Sequence, residues 1–193
     1  MCLTYIKKKI RFHTKLVLSL QNIFNKMRKQ SIFFLLFIML ISCGEYQKVL
    51  KSSDMDYKYN KALEYYQSND FARSMPIFKE LSTTLRATKR SAEIHYYLAY
   101  CHYNLGDFVM SSYLFRNYIR TYPNGSHIEE CSYMSAYCTY LESPIYSLDD
   151  TYTKKAINDL QTFINIYPNS SRVDKCEELI RELNDKLALK AFE

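Results

Sequence analysis

Glycine and proline are scarce: the chain of 193 residues has 3 and 4 of them, and it has no tryptophan. A sandwich or barrel needs turn residues at every hairpin, so a strand-rich fold is disfavoured. No apolar run reaches the roughly 20 residues that span a bilayer as a helix; the run from Ile32 to Ile41 has ten. Acidic residues are absent from 1–43, which carries 8 of the 26 Lys and Arg. The formal charge of +6 therefore belongs to that segment, because 44–193 holds 18 basic and all 20 acidic residues, a net of −2. A body so balanced lacks the basic footprint of a nucleic-acid binder, and that partner class drops out. There is no Gly-rich phosphate loop and no His-Glu-x-x-His motif, so an enzyme is not expected. Hydrophobic residues (48%) and aromatic residues (16%) are plentiful, enough for a packed core in one domain or two. Few breakers among many Tyr, Leu, Lys and Glu point to helices.

Lys26, Arg28 and Lys29 precede the apolar run, which ends Leu40-Ile41-Ser42-Cys43-Gly44. A basic segment, a short apolar segment and a small residue before a cut site make an export signal. The ending resembles a bacterial lipobox, in which the cysteine becomes the mature N-terminus. That resemblance implies a thioether diacylglycerol and an N-acyl chain on Cys43, a lipid anchor strong enough for stable membrane attachment. A complete signal already begins at Met27, so translation is expected to start there, and residues 1–42 stand apart from the fold. Residues 43–54 read as a linker and 55–193 as the folded domain. The other possible origin of residues 1–26 is a long basic leader.

Four cysteines remain beyond Cys43: Cys101, Cys131, Cys138 and Cys176. An even count in an exported chain invites disulfides. All four lie in helical patterns among apolar residues, which favours free buried thiols. His95 and His102, seven apart beside Cys101, could suggest a metal site, but the repeat places both where packing side chains belong. They are read as satisfied core histidines, with no metal. Glu129-Glu130 and Glu177-Glu178 fall in first turns of helices, where the dipole favours carboxylates.

Shifted by 37 residues, the body matches itself. Ala62, Ala99 and Ala136 coincide; so do Tyr59, Tyr96 and Tyr133, and Tyr66, Tyr103 and Tyr140; Asp70-Phe71 falls on Asp107-Phe108 and Phe78 on Phe115. A fixed period of this size means a solenoid. The second unit predicts helix A over Ala92–Leu105, a break at Gly106-Asp107 with Gly106 suited to the left-handed residue after a helix, and helix B over Phe108–Tyr122 closed by Pro123-Asn124-Gly125. The third unit carries Ala136, and its Ala156, Leu160 and Pro168 fit after an insertion of eight residues within Glu142–Thr151. Pro144 there blocks a helix, and Asp149 or Asp150 is available as an N-cap. A last helix, Ser171–Leu189, has one apolar face and would cover the open end.

With His95, Leu98, Ala99, His102, Ser111, Phe115 and Pro123 at their spacing, the unit resembles the tetratricopeptide repeat. The first unit is looser, with Lys61 in place of Leu and Arg86 in place of Pro. The expected fold is an all-α tetratricopeptide-type solenoid of about three repeats plus a C-terminal capping helix. The export signal, the repeats and the stretch from Asp149-Asp150 to Arg181-Glu182, through Ala156-Ile157, Leu160-Gln161, Phe163-Ile164 and Tyr167-Pro168-Asn169-Ser170, narrow this further. They resemble the BamD family, most closely its Bacteroidetes-type members. The resemblance implies a lipoprotein on the periplasmic face of the outer membrane. Its partners would be the β-barrel assembly protein and unfolded outer-membrane proteins. Relative to that family the chain stops early, at Phe192-Glu193, where two further repeats would follow.

Positions 5, 9 and 12 of the A helices read Tyr59, Leu63, Tyr66; Tyr96, Tyr100, Tyr103; and Tyr133, Tyr137, Tyr140. At about 100° per residue they share one arc, separate from that of positions 4, 8 and 11. In tetratricopeptide folds that second arc lines the concave groove. Tyrosine suits peptide binding, with a large contact area and few rotors to freeze. The eight tyrosines are therefore the candidate binding residues, for an aromatic-rich peptide rather than an acidic tail. The other reading is packing between neighbouring A helices. Two further functions stay open: a periplasmic scaffold for envelope or cell-division proteins, and, more remotely, a metal-dependent enzyme.

Overall fold

The computed structural model describes residues 44–86, 88–143 and 150–191. The chain divides into two compact units, Met1–Lys51 and Ser52–Glu193. In the first, residues 44–51 are helical, where a linker was expected; Met27, the apolar run and Cys43 lie outside the described residues. The second unit holds α1 (Met55–Gln67), α2 (Phe71–Thr84), α3 (Ser91–Asn104), α4 (Phe108–Thr121), α5 (Ile128–Leu141), α6 (Thr151–Ile166) and α7 (Val173–Ala191). The described residues include no strand, and the fold is an all-α helical repeat. Each helix packs chiefly on the one before it and the one after it, the contact pattern of a solenoid. Three hairpins, α1–α2, α3–α4 and α5–α6, are followed by α7 against α6.

The turns inside the hairpins repeat because their chemistry repeats. Gly106 has φ 78° and its equivalent in the first repeat, Asn69, has φ 61°. Glycine and asparagine are the residues that adopt this left-handed conformation most readily. In each turn the next two amide groups fold back onto the A helix: Gly106 N donates to Tyr103 O and Asp107 N to His102 O, as Asn69 N does to Tyr66 O and Asp70 N to Tyr65 O. These bonds satisfy carbonyls that a helix end leaves open. Asp70 and Asp107 then cap the B helices, accepting from the amides of Arg73 and Met110 at 3.2 Å. In the third repeat Asp150 takes the N-cap position of α6 and its carbonyl accepts from Lys154 N at 2.9 Å. Pro144 and Asp149 lie outside the described residues.

The B helices supply the large core side chains. Phe78, Phe115 and Leu160 are completely buried, and so, one turn on, are Leu81, Tyr118 and Phe163. Between them sits a repeated polar joint. Ser74 Oγ donates to Ala62 O at 2.8 Å and Ser111 Oγ to Ala99 O at 3.0 Å, across each hairpin. Each serine then accepts from a thiol of the next A helix, Cys101 Sγ at 3.6 Å and Cys138 Sγ at 3.4 Å. One buried hydroxyl thus links three helices with its donor and acceptor capacity used. The third repeat replaces the joint with hydrocarbon, Ala156 and Leu183, both fully buried.

The joint lies on α3 and α5, through Cys101 and Cys138. With Cys101 against the preceding B helix, α3 buries Ile94, Leu98, Ala99 and Cys101, and His95 and His102 lie at the rim. The histidines are satisfied, as expected, but they are half-buried rather than core. A close approach also explains Gly125. A Cβ there would lie 2.6 Å from the Tyr118 hydroxyl and 3.0 Å from Tyr122 O. The equivalent pair in the third repeat is Phe163 and Ser170, where the ring has no hydroxyl and the turn residue has a side chain. Packing, rather than backbone freedom, selects glycine at 125.

Candidate functional site

The A helices bring the eight candidate tyrosines into one band. Tyr59 is 6% exposed; the other seven are half-buried. Links run along the band from helix to helix. Tyr66 of α1 meets Tyr97 of α3 edge to face at 5.0 Å, and Tyr103 of α3 meets Tyr137 of α5 at 6.4 Å. Tyr133, Tyr137 and Tyr140 stack in series along α5, at 5.7 and 5.8 Å. Tyr100 points its edge at the buried Phe115 at 5.0 Å. These distances are those of favourable aromatic pairs.

Carboxylates of the following A helix take the hydroxyls. Tyr59 Oη donates to Glu93 at 2.7 Å, Tyr100 Oη to Glu130 at 2.6 Å and Tyr140 Oη to Glu182 at 2.7 Å. Burial, and then these neighbouring carboxylates, push the phenols of Tyr59, Tyr96 and Tyr100 well above the usual tyrosine range. Tyr66 is pushed up to about 12 by burial. Glu182 is held below the usual carboxylate range by the Tyr140 hydroxyl and Lys186.

Each position-5 tyrosine also carries a basic side chain on its face. The Arg90 guanidinium lies 5.0 Å from the Tyr59 ring centre and Arg172 lies 4.8 Å from Tyr133; between them His127 stacks on Tyr96 at 4.1 Å. All three are the residue just before or near the start of the next A helix, at equivalent points of the repeat. Cation–π attraction from the two arginines, and ring stacking from His127, tie one repeat to the next. From sequence, Glu130 was read only as a carboxylate in the first turn of a helix, and Arg90, His127, Arg172 and Glu93 were not singled out, although the same 37-residue shift aligns Arg90 with His127 and Glu93 with Glu130. Tyr97, which packs on Tyr66, Phe78 and Tyr96, was missed for the same reason: it lies one residue off the arc.

The YfiO family of outer membrane lipoproteins matches residues 51–193, the whole of the repeat. The chain belongs to that family. No curated protein matches it. As a YfiO-family chain it is an envelope lipoprotein built on a helical repeat. Among the described residues, no helix is long and apolar enough to cross a membrane. Cys101, Cys131, Cys138 and Cys176 are buried free thiols, and burial pushes them up to between about 11 and about 12, which suppresses the thiolate that a nucleophile needs. His95 Nδ1 lies 2.8 Å from Ser91 O and 3.1 Å from the Tyr122 hydroxyl, and His102 Nδ1 lies 3.0 Å from Asp107. No group of three or more metal-binding side chains comes together among the described residues. The tyrosine band offers ring faces and edges, with the hydroxyls of Tyr59, Tyr100 and Tyr140 held by carboxylates of the next helix.

Proposed function

We propose that this lipoprotein serves β-barrel assembly at the outer membrane. Anchored through an acylated Cys43 on the periplasmic face, it binds unfolded outer-membrane proteins, or their aromatic C-terminal segments, along the tyrosine band. The β-barrel assembly protein is its proposed partner. The supporting observation is the band itself, continuous over three A helices in a chain of an outer membrane lipoprotein family. A periplasmic scaffold for other envelope or cell-division proteins would use the same surface with other ligands.

Two measurements test this reading. Cys43→Ala removes the proposed site of acylation and is expected to release the protein from membranes or leave an uncleaved precursor; retention of a processed Ala variant after a high-salt wash would contradict it. For the band, Tyr96→Ala with Tyr103→Ala is expected to weaken titrated binding of a synthetic barrel peptide ending in phenylalanine by at least about tenfold, or 1.4 kcal/mol. Central position favours these rings as hot spots. Both are half-buried, so some stability is lost as well, but less than for a fully buried ring. Melting as severe as that of Phe115→Ala would make the band helix packing alone, and normal peptide binding by a folded double variant would move the ligand elsewhere.

A further inference from the structure

The repeat separates charge between its two helix layers. The B helices α2, α4 and α6 carry six Lys and Arg against two carboxylates. Both carboxylates are already paired, Glu80 with Lys58 at 2.5 Å and Asp159 with Lys155 at 2.6 Å and Arg116 at 3.5 Å. The A helices α1, α3 and α5 carry two Lys against five carboxylates. The N-caps Asp70, Asp107 and Asp150 add three carboxylates at the helix starts, with Arg73 on Asp70 at 3.4 Å and Lys154 on Asp150 at 3.7 Å, so the B layer keeps a small basic excess, concentrated at Arg116 and Arg120 of α4, although the body as a whole is slightly acidic.

In the middle of that face lies an apolar patch that the fold does not require. Val109, Met110 and Tyr113 of α4 are 61%, 42% and 58% exposed. The equivalent positions are Ala72, Arg73 and Pro76 in the first repeat and Lys154, Lys155 and Asn158 in the third. The three repeats share one architecture, so the siblings show that these positions tolerate small, basic or polar residues. Further along α4, Arg116 and Arg120 continue the exposed stripe. Arg116 reaches Asp159 of α6, which places the stripe beside the exposed Lys154 and the half-buried Lys155. The result is an aliphatic and aromatic centre with a cationic rim.

We infer that the outer face of the B layer docks on a bilayer containing anionic phospholipid, with Val109, Met110 and Tyr113 entering the headgroup region and the rim of Lys and Arg pairing with phosphates. Aliphatic and tyrosine side chains beside basic ones are what the membrane interface selects. Charge complementarity decides between occupants. A second copy would bring one cationic rim against another, which is repulsive, whereas an anionic leaflet attracts every rim charge. Docking by this face would leave the tyrosine band of the A layer turned away from the lipid and open to protein.

The chain has no tryptophan, so Tyr113→Trp introduces a single reporter at an exposed site. The full acylated protein carrying it is reconstituted in vesicles of phosphatidylcholine with about one quarter phosphatidylglycerol, with and without bromine-labelled lipid. Asn184→Trp, an exposed position on α7, reports on a site of the same anchored protein that is off the proposed face. The expected result is a blue-shifted emission from the Tyr113→Trp protein, quenched by brominated lipid at least about twofold more strongly than from the Asn184→Trp protein. That difference should disappear in pure phosphatidylcholine, and also when Arg120→Glu and Lys154→Glu are added. Circular dichroism confirms that all variants are folded. Equal quenching at the two positions, or quenching that persists without anionic lipid, overturns the inference. Burial of the Tyr113→Trp reporter only when another envelope protein is added overturns it in favour of a protein partner.

Discussion

Phe115→Ala is expected to cost about 3–5 kcal/mol in a urea titration, a large part of the roughly 5–15 kcal/mol that holds a domain of this size together. The ring is completely buried. It meets the edge of Tyr100 at 5.0 Å and belongs to a cluster with Ala99, Tyr118, Cys131, Met134 and Cys138. That cluster spans α3, α4 and α5, so the cavity opens where the second repeat is joined to the third. A solenoid has no distant contacts to compensate, since each repeat is held by its neighbours alone. The companion measurement is Val109→Ala on the same helix. Val109 is 61% exposed, and its truncation is expected to stay within about 0.5 kcal/mol. Equal effects from the two variants would mean that α4 is not oriented as described.

Most of the helices were legible because the sequence repeats and the period samples each structural position three times. The predicted Ala92–Leu105 is observed as Ser91–Asn104, and the predicted Ser171–Leu189 as Val173–Ala191. Gly106 was legible as a left-handed residue because few other residues suit that backbone; Asn69, its partner in the first repeat, was not read that way, although asparagine is next in that preference. Pro76 would have argued against the middle of α2, yet the helix runs through it, held by Ile77, Phe78 and Leu81 in the core. The failures have one cause. Helical periodicity tells which residues share an arc, but not which way that arc faces. On α3 the buried arc runs through Ile94, Leu98 and Cys101, the last bonded to Ser74, and His95 and His102 fall at its rim.

The same limit applies to the tyrosines. Their arc was read correctly as an arc, and their spacing told nothing of what holds each hydroxyl. Glu93 and Glu130 are one repeat apart, as are Arg90 and His127. The second pair differs in residue type while doing the same geometric work over Tyr59 and Tyr96. A search for identical residues at the repeat period passes over such a pair. A search for equivalent geometry, a planar nitrogen-bearing side chain opposite each position-5 ring, would have found Arg90, His127 and Arg172 together.

Alkaline pH should unfold this protein cooperatively, starting with its thiols. Cys101, Cys131, Cys138 and Cys176 are completely buried. Burial pushes Cys101, Cys138 and Cys176 up to about 11 and Cys131 up to about 12; hydrogen bonds from Cys101 to Ser74 and from Cys138 to Ser111 offset only part of the rise. An unfolded cysteine ionises near about pH 8.5. A group raised on folding contributes its full stability below the unfolded value, and loses it as pH climbs toward the folded value. In that window the unfolded chain sheds protons that the native state keeps. Each such group removes about 1.4 kcal/mol per pH unit, so four together remove on the order of 5–6 kcal/mol per unit. From about pH 10 the tyrosines add to the slope, led by Tyr59, which is only 6% exposed; the half-buried rings contribute less because solvent screens them. Stability of the usual size cannot survive two units of this decline. The expected result is a helical signal unchanged from neutral pH to about pH 9 and lost in one transition before about pH 11, with the buried tyrosines ionising only as the helix is lost. Replacing all four cysteines with alanine should flatten the first part of the decline and leave the tyrosine part. A wild-type protein that stays helical past that range, or a cysteine-free variant with the same pH profile, would show that ionisation of the buried thiols is not coupled to the fold.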